Sequence, residues 1–137
     1  MAVMLLDTAV ASFLHPKKRR SPQSQLYEPD LAGRTLAISF QSVAELLQWA
    51  ELNHWTEAAR AELDVFLTHF AVIPYELALA RQWARVMAKT RSVGRRLESG
   101  DAWIAATAIY YGLPLVTHDA DFRDLPLRDF KVICHAP

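Results

Sequence analysis

The sequence has a single cysteine, Cys134, among its 137 residues, which excludes an internal disulfide and a thiolate-rich metal site. It also has no net charge, because fifteen basic side chains balance fifteen acidic ones, so the surface as a whole is not an electrostatic footprint for nucleic acid. No apolar run approaches the roughly 18 residues of a membrane span. The N-terminus lacks the basic start of a signal peptide and reaches Asp7 early. We therefore expect a globular cytoplasmic protein without a membrane segment.

Apolar segments of two kinds alternate along the chain. Short runs typical of buried strands lie at 3–6, 36–40, 72–73, 115–117 and 131–134. Helical spacing of apolar residues follows at 7–14, 41–50, 56–70, 75–90 and 101–111. The segment 15–33, with three prolines and a basic run, is predicted to be a long loop. This order predicts an α/β fold, a three-layer α/β/α sandwich around a parallel sheet of four or five strands, in one domain over 1–137.

Five carboxylates follow strands or begin helices in this scheme. Right-handed crossovers bring strand ends and helix N-termini to one edge of a parallel sheet. We therefore expect one edge to carry all five acids, provided that the first and fourth strands are neighbours: Asp7, Glu45, Asp101, Asp119 and Asp121.

Each acid also has a purely structural explanation. Asp7 and Asp101 are typical helix caps or first-turn acids. Ser42 and Glu45 have the spacing of a capping box. Asp119 and Asp121 suit a turn, where aspartate is common. Only convergence of these residues distinguishes a functional site from a set of unrelated caps.

Converging carboxylates cannot all stay ionised without a counterion, and Mg²⁺ prefers oxygen ligands. No histidine or cysteine cluster competes for a softer metal, and His118 is interpreted as a loop residue or substrate contact rather than a ligand. A carboxylate-bound Mg²⁺ with open water positions suits phosphodiester hydrolysis. The pattern therefore favours a metal-dependent hydrolase.

Four motifs resemble those of the PIN-domain family, most closely its VapC-type toxins. They are Leu5-Leu6-Asp7-Thr8, Ser42-Val43-Ala44-Glu45-Leu46, the stretch 101–108 (DAWIAATA) and the stretch 115–122 (LVTHDADF). The similarity runs from Val3 to the last predicted strand. The third and fourth motifs, in this order and separation, are its specific part.

The resemblance implies an endoribonuclease that cuts single-stranded RNA with Mg²⁺, or with Mn²⁺ in its place, as the toxin of a toxin–antitoxin pair. It implies metal-binding and catalytic roles for Asp7, Glu45 and Asp101, and site-orienting roles for Thr8 and Thr117. It also implies a cognate antitoxin and a homodimer as partners. Which RNA is cut, which antitoxin binds and whether one or two ions are held stay open.

The fourth acid of the family pattern is ambiguous in this chain. Many relatives have Thr-x-Asn-x-x-Asp-Phe, whereas the segment here, Thr117-His118-Asp119-Ala120-Asp121-Phe122, is one residue shorter. Asp119 and Asp121 are therefore both retained as candidate catalytic and metal-binding residues.

Basic residues near the same edge are candidates for RNA binding, since phosphate contacts give affinity without sequence preference. For the basic run, a disordered solvated loop is the open alternative. The candidates are Lys17, Lys18, Arg19, Arg20, Arg95 and Arg96.

Two other enzyme classes also place an aspartate after a first strand. A haloacid-dehalogenase-type phosphotransferase needs a second aspartate two residues later, where this chain has Ala9, and a receiver domain needs a lysine at a strand end. Both are disfavoured. The non-enzymatic alternative is a catalytically inactive PIN-fold module that binds RNA or protein.

Aromatic and apolar residues on the predicted helices exceed what a small core obviously needs. They are more often core than interface. Together with the resemblance they predict a homodimer and a groove that accepts an antitoxin helix. The surplus residues are Trp49, Leu52, Trp55, Tyr110 and Tyr111.

Overall fold

The computed structural model describes residues 2–137, which form five parallel strands and six α-helices, with one pair of helices after each of the first three strands. The strands are β1 (Val3–Leu6), β2 (Thr35–Ser39), β3 (Ala71–Ile73), β4 (Leu115–Thr117) and β5 (Val132–Cys134). The helices are α1 (Thr8–Phe13), α2 (Pro22–Leu31), α3 (Phe40–Leu52), α4 (Glu57–Leu67), α5 (Leu77–Ser92) and α6 (Ser99–Tyr111). The predicted α/β class is confirmed.

The sheet has the strand order β3-β2-β1-β4-β5. Strand β1 is central and pairs with β2 on one side and with β4 on the other, in register Leu6 to Ile38 and Leu6 to Val116. The first and fourth strands are therefore neighbours, which is the condition for their following acids to meet. The carboxyl ends of all five strands lie along one edge, called here the catalytic edge after the candidate catalytic residues that the sequence predicts there.

Two apolar layers enclose the sheet because successive side chains of a strand point to opposite faces. Leu6 of β1 packs in the layer that contains helices α1 to α4, whereas the adjacent Leu5 packs in the layer of α5 and α6. In α6 the small residues Ala102, Ala105 and Ala106 are completely buried, so the helix lies close against the strands. The three-layer sandwich is thus present as predicted.

Helix α2 replaces the loop that was predicted for 15–33. Ser21 caps it by accepting a hydrogen bond from the Ser24 N–H, and Pro22 occupies the first turn, where a missing N–H costs nothing. Tyr27 and Leu31 are buried against the sheet. The loop prediction was wrong because the prolines counted as breakers include one that begins the helix.

Helix α3 begins earlier than expected, and this changes its cap. Phe40 was predicted to end a strand but is the first helical residue, and Ser39 supplies the cap by accepting from the Gln41 N–H. Ser42 therefore lies inside the first turn, so the alternative explanation of Ser42 and Glu45 as a capping box is wrong. Both side chains are free to point into the catalytic edge.

Smaller elements follow the prediction closely. Thr56 caps α4 by accepting from the Ala59 N–H, and Gly112 ends α6 with a positive φ of 65°. Within residues 2–137, no helix combines the length and apolar character that crossing a membrane requires.

The aromatic surplus divides into two groups. Trp49 and Trp55 pack around the buried ring of His15, with centroid distances of 5.4 and 5.3 Å. Leu52 and the Tyr110–Tyr111 pair are exposed instead. The second group is the more exposed of the two, since Trp49 and Trp55 are only partly exposed.

Candidate active site

Asp7 is the most buried carboxylate of the catalytic edge, with 5% of its surface exposed. It ends β1 and caps α1: Oδ1 accepts from the Val10 N–H at 2.9 Å. Its Oδ2 accepts from the Thr117 hydroxyl at 2.5 Å, across the β1–β4 pair. Both oxygens are therefore fixed in direction by groups from two different elements.

Glu45 is joined to α1 through Thr8. The Thr8 hydroxyl lies 2.9 Å from both the Glu45 Oε1 and the Ser42 Oγ. Because a hydroxyl has one hydrogen, Thr8 donates to the carboxylate and accepts from Ser42. Ser42 is fully buried, and it is a residue of the site that the sequence reasoning assigned to a cap.

Asp101 lies in the first turn of α6 and is half-buried. Glu98 occupies the cap position without a side-chain cap bond, so Asp101 is not the cap. Gly100 allows α6 to approach α3 closely, because an added Cβ there would lie 2.8 Å from the Gln41 Nε2. The start of α6 is thereby brought against the start of the helix that carries Glu45.

Asp119 and Asp121 occupy different environments in the turn after β4. The Thr117 hydroxyl accepts from the Asp119 N–H at 3.0 Å, and the Asp119 Oδ1 accepts from the Asp121 N–H at 2.9 Å. Asp119 is half-buried, whereas Asp121 is exposed and lines a small cavity of about 240 Å³ together with Asp101 and Arg96.

The charges that raise the pKa values of Asp7 and Asp101 indicate which acids lie in one region. Burial is the largest of the effects that together raise the pKa of Asp7 to about 6; the charges of Asp119 and Glu45 also raise it, and the hydrogen bonds from Thr117 and Val10 lower it. Burial also raises the pKa of Asp101 to about 6, with Asp119, Glu45, Asp7 and Glu98 as the charges that add to it. Asp7, Glu45, Asp101 and Asp119 are thus close enough to repel one another.

This donor set is made of oxygen atoms only, which fits a hard divalent cation. Within the described part of the chain, no group of three or more His, Cys, Asp or Glu side chains is arranged so that it could hold a metal ion. Mg²⁺ is commonly held by one or two carboxylates and keeps several waters, so it does not need three protein ligands.

The candidate RNA-binding residues are all exposed, but they are not equally free. Lys17 and Lys18 place their ammonium groups 4.7 and 4.9 Å from the ring centroids of Trp55 and Trp49. The guanidinium of Arg95 donates to the backbone carbonyls of the turn after β4. Arg95 therefore holds that turn in place.

A family model of the PIN domain matches residues 4–127. Ribonuclease VapC5 of Mycobacterium tuberculosis is 42% identical over 124 residues, which span 90% of this chain and 88% of the relative. The crystal structure of VapBC-5 from the same organism, a member of the VapBC family of toxin–antitoxin systems, is 29% identical with a TM-score of 0.69, over 98% of this chain and 99% of that one.

The fold alone is shared with a more distant structure, VapBC2 of Rickettsia felis bound to a promoter DNA fragment. Its TM-score is 0.79 at 21% identity, over 96% of this chain and 98% of that chain. The chain therefore belongs to the PIN-domain family, among its VapC ribonucleases of toxin–antitoxin systems.

Proposed function

We propose that this chain is an endoribonuclease that hydrolyses phosphodiester bonds of single-stranded RNA with Mg²⁺ or Mn²⁺, as the toxin of a toxin–antitoxin pair in the cytoplasm. The observation that carries the proposal is the convergence of Asp7 and Asp101, which are far apart in the sequence, into one region: the charge of Asp7 contributes to the raised pKa of Asp101, and the charges of Glu45 and Asp119 contribute to both. Relatives that are ribonucleases support the same reaction.

The acids and two threonines have different roles in this proposal. Asp7, Glu45, Asp101 and Asp119 are the acids that would hold the cation, directly or through the waters that it keeps, and Thr117 and Thr8 orient Asp7 and Glu45. A bound cation would supply the chemistry of water activation and of charge stabilisation on the phosphate and the leaving oxygen. Asp119 is favoured over Asp121 as the fourth ligand because only Asp119 is among the charges that raise the pKa of both Asp7 and Asp101.

Exposed arginines supply phosphate contacts in the proposal. Arg96 lines the small cavity beside Asp101, so its charge offsets the repulsion between the acidic edge and a polyanion. Arg20 is exposed in the loop after α1, whereas Arg19 lines a different cavity, together with Leu14 and Phe70, and is not beside the acids.

An antitoxin is the proposed protein partner, as in the VapBC systems to which the related structures belong. A groove of about 760 Å³ lies between the end of α1 and α4, with Leu14, Val65, Phe66 and Phe70 as its apolar lining. Such a surface suits an amphipathic helix. The protein encoded by the neighbouring reading frame should bind there, and Val65→Glu should abolish its capture while leaving RNA cleavage unchanged.

A homodimer is the expected oligomeric state. The exposed Tyr110 and Tyr111 are candidates for that contact. Sedimentation analysis at micromolar concentration should give the mass of two chains, and a monomer would contradict this expectation.

The activity test uses Asp7→Asn and Asp101→Asn with single-stranded RNA and Mg²⁺. Both variants should lose cleavage and should no longer arrest growth on expression, whereas the exposed Asp64→Asn control should behave like the parent. A variant that cuts as fast as the parent would show that the site is wrong. A parent that binds RNA without cutting it in either metal would favour the inactive binding module.

A further inference from the structure

A hydrogen-bond chain centred on the buried Tyr27 reaches the turn after β4 at the catalytic edge. Tyr27 of α2 is 1% exposed, and its hydroxyl lies 2.5 Å from the His118 Nδ1. The same hydroxyl accepts from the His135 N–H at 3.0 Å, and the His135 Nε2 lies 2.7 Å from the Asp30 Oδ2. The chain therefore ties α2 and the segment after β5 to the residue that follows Thr117.

The hydrogen bonds of the Tyr27 hydroxyl determine which ring nitrogen of His118 carries a hydrogen. Burial raises the pKa of the Tyr27 hydroxyl above its usual range, so this hydroxyl keeps its hydrogen at neutral pH. Because the oxygen already accepts from His135, the hydrogen must be donated, and the acceptor in reach is the His118 Nδ1. A ring whose Nδ1 accepts carries its hydrogen on Nε2.

The position of His118 makes that hydrogen relevant to the site. It lies between Thr117, which binds Asp7, and Asp119, one of the repelling acids. Phe13 and Tyr27 flank its ring edge-on at 5.7 and 5.5 Å, and the ring is partly exposed. Among residues 2–137, no protein acceptor is bonded to its Nε2.

The surroundings of His118 indicate which kind of group could accept a hydrogen bond from its Nε2. The carboxylates beside His118 are acceptors, and a phosphodiester presents acceptor oxygens as well, so the two repel each other. A neutral N–H adds a donor at this edge. We propose that His118 binds the RNA backbone by donating from Nε2 to a phosphate oxygen, and that Tyr27 is the positioning residue that holds it in this tautomer. This inference rests on the proposed function.

Two isosteric variants separate the two ring nitrogens. In His118→Asn the amide oxygen takes the place of Nδ1, so the Tyr27 contact is kept and the distal donor is lost. In His118→Gln the amide nitrogen takes the place of Nε2, so the distal donor is kept. His69→Asn is the matched control, because His69 is exposed at the opposite edge of the sheet, before β3.

Cleavage kinetics in Mg²⁺ and anisotropy of a labelled single-stranded oligonucleotide in EDTA measure turnover and binding separately. His118→Asn should weaken binding and raise KM roughly three- to tenfold, as expected for one lost hydrogen bond, with kcat within about twofold. His118→Gln should recover most of the affinity, and the control should match the parent. Binding by His118→Asn equal to that of the parent would overturn the proposal.

Nitrogen-15 NMR of the histidine rings tests the positioning role without RNA. His118 should be protonated at Nε2 in the parent and should become a mixture of tautomers in Tyr27→Phe, while Tyr110→Phe should change nothing. A parent ring protonated at Nδ1 would refute the assignment. If the parent cleaves RNA but these results fail, only this inference is wrong, whereas a parent that does not cleave contradicts the proposed function.

Discussion

Asp7→Asn should make the metal-free protein more stable although it destroys the proposed active site. In the folded protein the pKa of Asp7 is about 6, against 3.8 for an ordinary aspartate. At neutral pH the charged form therefore costs about 3 kcal/mol of folding free energy. Asparagine removes this cost but loses the hydrogen bond from Thr117, worth about 1 kcal/mol. The Val10 N–H keeps its acceptor, so the net gain is about 2 kcal/mol.

The assay is urea unfolding at pH 7 in EDTA and again in excess Mg²⁺, with the exposed Asp64→Asn as the control. In EDTA the Asp7→Asn variant should unfold at higher urea concentration than the parent. In Mg²⁺ the parent should gain about 3 kcal/mol at a hundredfold excess over Kd, and the variant should gain little. A variant that is less stable than the parent in EDTA would refute the electrostatic reasoning.

The pH dependence provides a second check on the same residue. Because the folded pKa of Asp7 lies above its unfolded value, folding takes up a proton between about pH 4 and pH 6. The contribution of Asp7 to stability is thus fully present below the unfolded pKa and is lost as the pH rises through about 6. The stability advantage of Asp7→Asn in EDTA should therefore shrink as the pH falls from 7 to 4, and an advantage independent of pH would contradict this origin.

Three further substitutions test individual features of the fold. Ser21→Ala removes the cap of α2 and should lower stability by about 1 kcal/mol, measured by urea unfolding, whereas Ser21→Asp should retain it. Gly112→Ala should cost about 1 kcal/mol through its left-handed φ alone, since nothing lies within 4 Å of an added Cβ, and a lower thermal midpoint would show it. Arg95→Lys should loosen the turn after β4, because an ammonium cannot reach three carbonyls, and limited proteolysis should detect faster cutting near Asp124.

The position of the catalytic edge could be predicted from sequence because it depends on rules of topology rather than on side-chain detail. Strand ends and helix starts meet at one edge in any right-handed parallel sheet, so Asp7, Glu45 and Asp101 could be assigned to it without coordinates. The neighbouring position of β1 and β4 could not be derived in this way. It depends on long-range pairing between residues such as Leu6 and Val116.

Side-chain roles within the edge were beyond the sequence. The choice between Asp119 and Asp121 depends on a hydrogen bond from the Asp119 N–H to Thr117, which turns one acid inward and leaves the other exposed. The hydrogen bonds of Tyr27 could not be predicted, because helix α2, which carries this residue, was interpreted as a loop. The Ser21-Pro22 pair is the local signal that could have revealed α2.

The hydrogen bond between Thr117 and Asp7 joins an early part of the chain to a late one, because the two residues are 110 positions apart in the sequence. During translation, the central strand β1 can therefore pair with β2 early but cannot pair with β4 until synthesis is nearly complete. A chain that stops before β4 lacks Thr117 and Asp119, and with them the hydrogen bond that orients Asp7 and one of the proposed metal ligands. We therefore expect the proposed site to form only after β4 has been synthesised.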